Sequence, residues 1–136
     1  MTTTPISVDE SLVTLKDATR IAHDGLAEVF GIKLNRVGGL TKAARMRDLA
    51  LAHSIQIYVM ATGGSVLADT EAALLAQTIP IEHRLGTWAC QDMLTVDIAP
   101  NQGVRSHNGK LTATDIPGHG IVPDENILGD PVAVYT

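Results

Sequence analysis

The chain has 136 residues, too few for a complete (β/α)8 barrel of about 250 residues and enough for one ordinary domain or half of something larger. With 45% hydrophobic and 18% charged residues the composition is globular, not disordered, and at 3% aromatics the core must come from Ala, Val, Ile and Leu. Ten basic against fifteen acidic residues give a net charge of −5, and the absence of any Lys/Arg cluster excludes a nucleic-acid-binding face.

Taken in chain order, Ile6-Ser7-Val8 predicts a short strand. Ser11 or Thr14 caps a helix with Leu15, Ala18, Ile21 and Ala22 at helical spacing, stopped near Gly25. Residues Glu28 to Leu34 read as a second strand. Gly38-Gly39 marks a turn, and Thr41 caps a helix that turns Ala43, Met46, Leu49 and Ala50 to one face. Ile55 to Met60 is the clearest strand. After the turn Thr62-Gly63-Gly64-Ser65, a helix runs through Val66, Leu67, Thr70, Ala73, Leu74 and Gln77 until Pro80, and Ile81 to Leu85 predicts a fourth strand. Asp9 to Lys33 is 24 positions, Lys33 to Met60 is 27 and Met60 to Leu85 is 25. That period fits repeated βα units and a parallel sheet covered by helices. Beyond residue 92, repeated Pro and Gly predict an ordered coil with short strands such as Lys110 to Ala113, anchored by apolar residues. Residues 1–91 are therefore read as βα units and 92–136 as a tail packing back on them, with no independent second domain.

Cys90 is the sole cysteine, so neither a disulfide framework nor a cysteine metal cluster is expected. No apolar run nears the roughly 20 residues that span a bilayer. Met-Thr-Thr-Thr-Pro lacks the basic and apolar regions of a secretory signal. A soluble, cytoplasmic protein is expected.

In parallel α/β structures the working residues gather at the carboxyl ends of strands. Asp9-Glu10, Lys33, Thr62-Gly63-Gly64 and Thr87-Trp88 occupy such ends. Asp9 offers a carboxylate to Mg²⁺, a hard cation that takes oxygen ligands, or, with Ser11 as the other choice, it caps the next helix. Lys33 lies in an apolar strand. Desolvation there would lower its pKa toward that of a general base, unless the side chain snorkels to solvent. Trp88 either holds a cationic ligand at a pocket mouth or covers the core. Gly63 and Gly64 either admit a ligand to the backbone or serve a tight turn. No two histidines have metal-ligand spacing.

The segments Pro5-Ile6-Ser7-Val8-Asp9-Glu10-Ser11, Gly31-Ile32-Lys33-Leu34-Asn35-Arg36-Val37-Gly38-Gly39-Leu40 and Pro117-Gly118-His119-Gly120 together resemble the enolase superfamily, in its mandelate racemase/muconate lactonizing enzyme branch. Gly86 to Asp92 is similar to members that epimerise 4-hydroxyproline betaine or dehydrate cis-3-hydroxy-L-proline. The resemblance implies the C-terminal half of a TIM-like (β/α)7β barrel: about four parallel strands with three helices and an irregular tail. In that family three strand-end acids hold Mg²⁺ while lysines exchange the proton α to a carboxylate. Asp9 matches the last of those acids and Lys33 the sixth-strand acid/base. Trp88 matches an aromatic partner of a quaternary ammonium. Glu10, Thr62, Gly63 and Gly64 fall to supporting or loop positions.

The implied function is part of a Mg²⁺-dependent racemase, epimerase or dehydratase acting on a small carboxylate, a proline derivative. The first four strands, two metal ligands, a second base and the capping domain have no counterpart in the sequence, so the isolated chain is expected to be inactive. The common Pro-Gly-Leu-Gly reads Pro-Gly-His-Gly here, placing His119 where an apolar residue is usual. The alternative is a non-catalytic split or truncated subunit that closes its barrel by self-association or with a partner half-barrel. A small anion-binding module built on the Gly-rich turns is a third reading.

Overall fold

Every strand of the main sheet runs the same way. The computed structural model describes residues 3–135; Met1, Thr2 and Thr136, at the outer bounds of the two expected segments, lie outside the described residues. Strands β1 (Ser7–Val8), β2 (Val29–Lys33), β3 (Gln56–Met60) and β4 (Arg84–Trp88) lie in the order β1-β2-β3-β4, each pair parallel. Parallel neighbours need a crossover, here a helix each time. These are α1 (Leu15–His23), then the single turn α2 (Leu34–Val37) with α3 (Leu40–Ala52), then α4 (Val66–Gln77).

Side chains alternate across a strand. Phe30 and Ile32 of β2 and Ile57 and Val59 of β3 share one face and one core with Ala18 and Ile21 of α1, Met46 and Ala50 of α3, and Leu75 and Ala76 of α4. The helices thus cover that face. Gly31, Lys33, Tyr58 and Met60 fall on the other. Pairing registers Lys33 with Met60 and Met60 with Trp88, so three strand ends form one row at the carboxyl rim of the sheet.

Of the caps offered for α1, Thr14 is the one used, not Ser11 or Asp9: its side chain accepts from the Asp17 N–H at 3.1 Å while Asp17 reaches back to the Thr14 N–H at 3.0 Å. Local boundaries differ from the sequence reading in three places. The second strand stops at Lys33, and Leu34 opens α2 instead of extending β2. Gly39, not Thr41, is the N-cap of α3. The fourth strand is Arg84–Trp88 rather than residues 81–85. Pro80 starts a turn closed by His83 N–H to the Pro80 carbonyl at 3.0 Å, which leaves Ile81 outside the sheet.

Beyond β4 come a 3-10 turn (Gln91–Met93), the antiparallel hairpin β5 (Ser106–His107) with β6 (Lys110–Leu111), and the short α5 (Glu125–Leu128). The expected strand over residues 110–113 is confined to its first two residues. Val104, Leu111 and Ala113 pack on Ala73 and Leu74 of α4, and the Val104 N–H donates to Thr70 Oγ1 at 3.0 Å. Arg105 braces the coil through Asp97 at 2.8 Å and the Ala99 carbonyl at 2.7 Å. His119, the polar departure in the Pro-Gly-His-Gly run, is matched by Glu71 of α4 at 2.8 Å. Among the described residues no helix is long and apolar enough to cross a membrane.

Candidate active site

Adjacent parallel strands place consecutive strand ends side by side, and here that brings opposite charges together. Asp9 and Glu10 follow β1, and Lys33 ends β2. The Lys33 ammonium lies 2.8 Å from Asp9 Oδ2, 2.9 Å from Glu10 Oε1 and 3.1 Å from Glu10 Oε2. Gly31 leaves room for this arrangement. A Cβ at that position would stand 2.8 Å from the Met60 methyl and 3.6 Å from Asp9 Cβ.

Arg36, one helical turn past Lys33 on α2, adds a second cation. Its guanidinium lies 2.9 Å from Glu10 Oε2 and 3.6 Å from Asp9 Oδ1. Two carboxylates and two cations form one cluster. Sequence reasoning missed Arg36 as a site residue, although its spacing from Lys33 was a usable signal.

This geometry decides between the two readings of Lys33. The residue is 9% exposed, so it does not snorkel. Nor is its pKa lowered: hydrogen bonds to Asp9 and then Glu10 outweigh desolvation and hold the ammonium above its ordinary value. The expectation of a depressed lysine is corrected on that ground. Hydrogen bonds from Arg36 and Lys33 pull Glu10 down to about 2, and Glu10 raises Arg36. Lys33 is thus held in its charged form by the two carboxylates.

The residues present do not by themselves make a Mg²⁺ site. Among the described residues no three His, Cys, Asp or Glu side chains come together around a cation position. Asp9 Oδ1 is shut off from solvent and accepts no hydrogen bond, which suits one oxygen ligand. The neighbouring carboxylate, Glu10, is engaged by Lys33 and Arg36.

The other half of the rim is uncharged at its surface. Trp88 is 41% exposed, so it does not cover a core. Thr62 follows β3 with φ +49°, a left-handed conformation that strains a β-branched residue, and its hydroxyl is buried without a partner. Gly64 is needed for packing, since a Cβ there would come within 2.4 Å of Ala68 Cβ. The Gly63 N–H donates to Cys90 Sγ at 3.1 Å.

Asp69, Cys90 and Gln91 were not read as site residues. Asp69 sits in the first turn of α4, where a carboxylate ordinarily serves the helix dipole, and that common role masks any other. It is 1% exposed, and burial pushes its carboxyl up against the lowering pull of the Cys90 and Gln91 amides.

A family model described as enolase C-terminal domain-like matches residues 1–127. Cis-3-hydroxy-L-proline dehydratase from Roseibium aggregatum is 38% identical over 99% of this chain and 36% of its own length. O-succinylbenzoate synthase from Bacillus subtilis is 34% identical over 92% of this chain and 33% of its own. Among solved structures, a mandelate racemase/muconate lactonizing enzyme-like protein from Silicibacter pomeroyi is 66% identical, with a TM-score of 0.95 over 98% of this chain and 37% of that one. A member of the enolase superfamily from Roseovarius nubinhibens, complexed with magnesium, is 40% identical with a TM-score of 0.93 over 96% of this chain and 36% of that one. The chain thus spans about a third of the length of the relatives it matches, and its four parallel strands with their helices correspond to the C-terminal part of their barrels. The chain belongs to the enolase C-terminal domain-like family.

Proposed function

We propose that the chain supplies one side of the active site of a racemase, epimerase or dehydratase that exchanges the proton α to a carboxylate, with a proline derivative as substrate. The observation that carries this reading is the 2.8 Å contact between Lys33 and Asp9 at neighbouring strand ends, in a chain 38% identical to a cis-3-hydroxy-L-proline dehydratase. Lys33 is the proton-transfer group. In the completed barrel it adds or removes the α-proton, and a base on the remainder of the barrel carries out the opposite transfer on the other face of the α-carbon. Arg36 holds Glu10 from the other side. Trp88, half-exposed in the same register row, offers its ring face to the substrate nitrogen. Asp9 would contribute one oxygen ligand to Mg²⁺, which when bound supplies Lewis-acid stabilisation of charge on the substrate carboxylate.

The test is solvent deuterium incorporation at the α-carbon of cis-3-hydroxy-L-proline and of 4-hydroxyproline betaine, in D₂O with Mg²⁺. The isolated chain should give none, because one carboxylate is too few for a Mg²⁺ site. Co-expressed with the N-terminal two thirds of the Silicibacter pomeroyi relative, it should give exchange with one of the two substrates. Enzymatic exchange by the chain alone, or none with either substrate from a folded complex, contradicts the proposal.

A second reading is favoured by the sheet's margins. Among the described residues β1 and β4 each pair on one side only, and Leu85 and Trp88 of β4 and Ile6 beside β1 are exposed. Such edges invite pairing, so a non-catalytic subunit would complete its barrel with a second copy or a partner half-barrel. Light scattering decides this; a well-behaved monomer counts against it.

A further inference from the structure

We propose that Asp69 is a positioning residue that, from α4, ties the segment after β4 to the loop after β3 and so sets where Trp88 and Thr62–Gly64 stand at the rim. Its oxygens accept three close contacts from two backbone amides. The Cys90 N–H lies 2.8 Å from Oδ1 and 3.0 Å from Oδ2, and the Gln91 N–H lies 2.8 Å from Oδ2. The held residues then reach the other loop. Cys90 Sγ accepts from the Gly63 N–H at 3.1 Å, and Gln91 Oε1 accepts from the Val66 N–H, at the start of α4, at 2.9 Å. The Ala61 N–H donates to the Trp88 carbonyl at 3.2 Å, carrying β3–β4 pairing up to the same point.

These contacts close a ring from α4 to residues 90–91, on to residues 63 and 66, and back to α4. An ionised carboxylate only accepts, so it can take two adjacent N–H groups at once. An asparagine would turn a donor toward one of them, and an alanine would leave both unpaired. A helix-dipole role would need no loop partner at all. The contacts used here run instead to a segment 21 and 22 residues away.

That this latch serves a substrate pocket rests on the function proposed above; the latch itself is read without substrate. Trp88 and Cys90 are the sole tryptophan and cysteine, so each reports on one place. In the full chain, labelling of Cys90 by 4,4′-dithiodipyridine and acrylamide quenching of Trp88 are compared between wild type and Asp69→Asn, with far-UV circular dichroism as the check on folding. Cys90 is 2% exposed and should label slowly. The variant should keep its helical signal, label at least about tenfold faster, a loss of about 1.4 kcal/mol of protection, and show a shifted and more quenchable Trp88 emission. A folded variant with wild-type labelling and emission overturns the proposal, as does faster labelling that merely tracks a lower global denaturation midpoint. If Asp69→Asn does not fold, hydrogen exchange on the wild type decides. Cys90, Gln91 and Gly63 amides should exchange together and far more slowly than Asn108 at the exposed hairpin turn; Cys90 and Gln91 exchanging as fast as Asn108 overturns it. A chain with an intact latch and no activity, or activity with no latch, separates this proposal from the function it extends.

Discussion

At one end of the rim, Asp9 and Glu10 are answered by Lys33 and Arg36, ion against ion, with Glu10 still two-thirds open to water. At the other end, buried Asp69 is answered by backbone amides alone. In the first arrangement the Lys33 ammonium is buried, but its Glu10 partner is exposed, so that half of the pairing is the more easily rearranged by a substrate or an ion. The second fixes two loops, because a buried carboxylate cannot give up its amides without losing solvation altogether. On the proposed function, the first end is the reacting side and the second its frame.

The largest loss of stability should come from the frame. Asp69→Ala leaves the Cys90 and Gln91 amides buried and unpaired, and should cost about 3 kcal/mol in urea unfolding; a loss under about 1 kcal/mol would erase the contrast between the two ends. Gly64→Ala forces a Cβ against Ala68 and should cost about 2 kcal/mol, measured the same way.

Acid titration of unfolding sharpens the comparison, because the two carboxylates shift in opposite directions. Glu10 falls from 4.5 to about 2 on folding, so its contribution is present above pH 4.5 and is lost as pH drops toward about 2. Glu10→Gln should flatten that acid loss. The pKa of Asp69 is raised from 3.8 by burial, so the pH-dependent part of its contribution, separate from its amide contacts, is fully present below pH 3.8 and is lost as pH rises through its folded value. Asp69→Asn should remove that opposite slope. Slopes of the same sign would break the distinction. Smallest of all, His119→Leu should change stability by less than about 1 kcal/mol, since its pair with Glu71 is partly exposed.

The charged end was legible in the sequence because its parts sit at strand ends 24 positions apart, and a parallel sheet makes such ends neighbours. What spacing could not show was the sign of the lysine's shift, which depends on how many carboxylates turn toward it. The frame was illegible for a different reason. Asp69 reads as a helix-start acid, Cys90 as an isolated thiol and Gln91 as a loop residue, and only the folding of α4 against the segment after β4 joins them. The misplacement of β4 has a similar source. Ile81 is apolar, but the turn at Pro80 takes it out of the sheet, and Gly86, a poor strand former, is accommodated against the Tyr58 ring at 3.3 Å from its would-be Cβ.

The assignment of the reacting group is tested most directly by measuring α-proton exchange in D₂O with Lys33→Ala in the completed barrel. Proton transfer by a positioned side chain is worth about 10²- to 10⁴-fold, so exchange should fall by at least about 100-fold while Asp69 still protects Cys90 from labelling. Exchange that persists at the wild-type rate without the Lys33 ammonium would contradict the placement of Lys33 at the reacting centre.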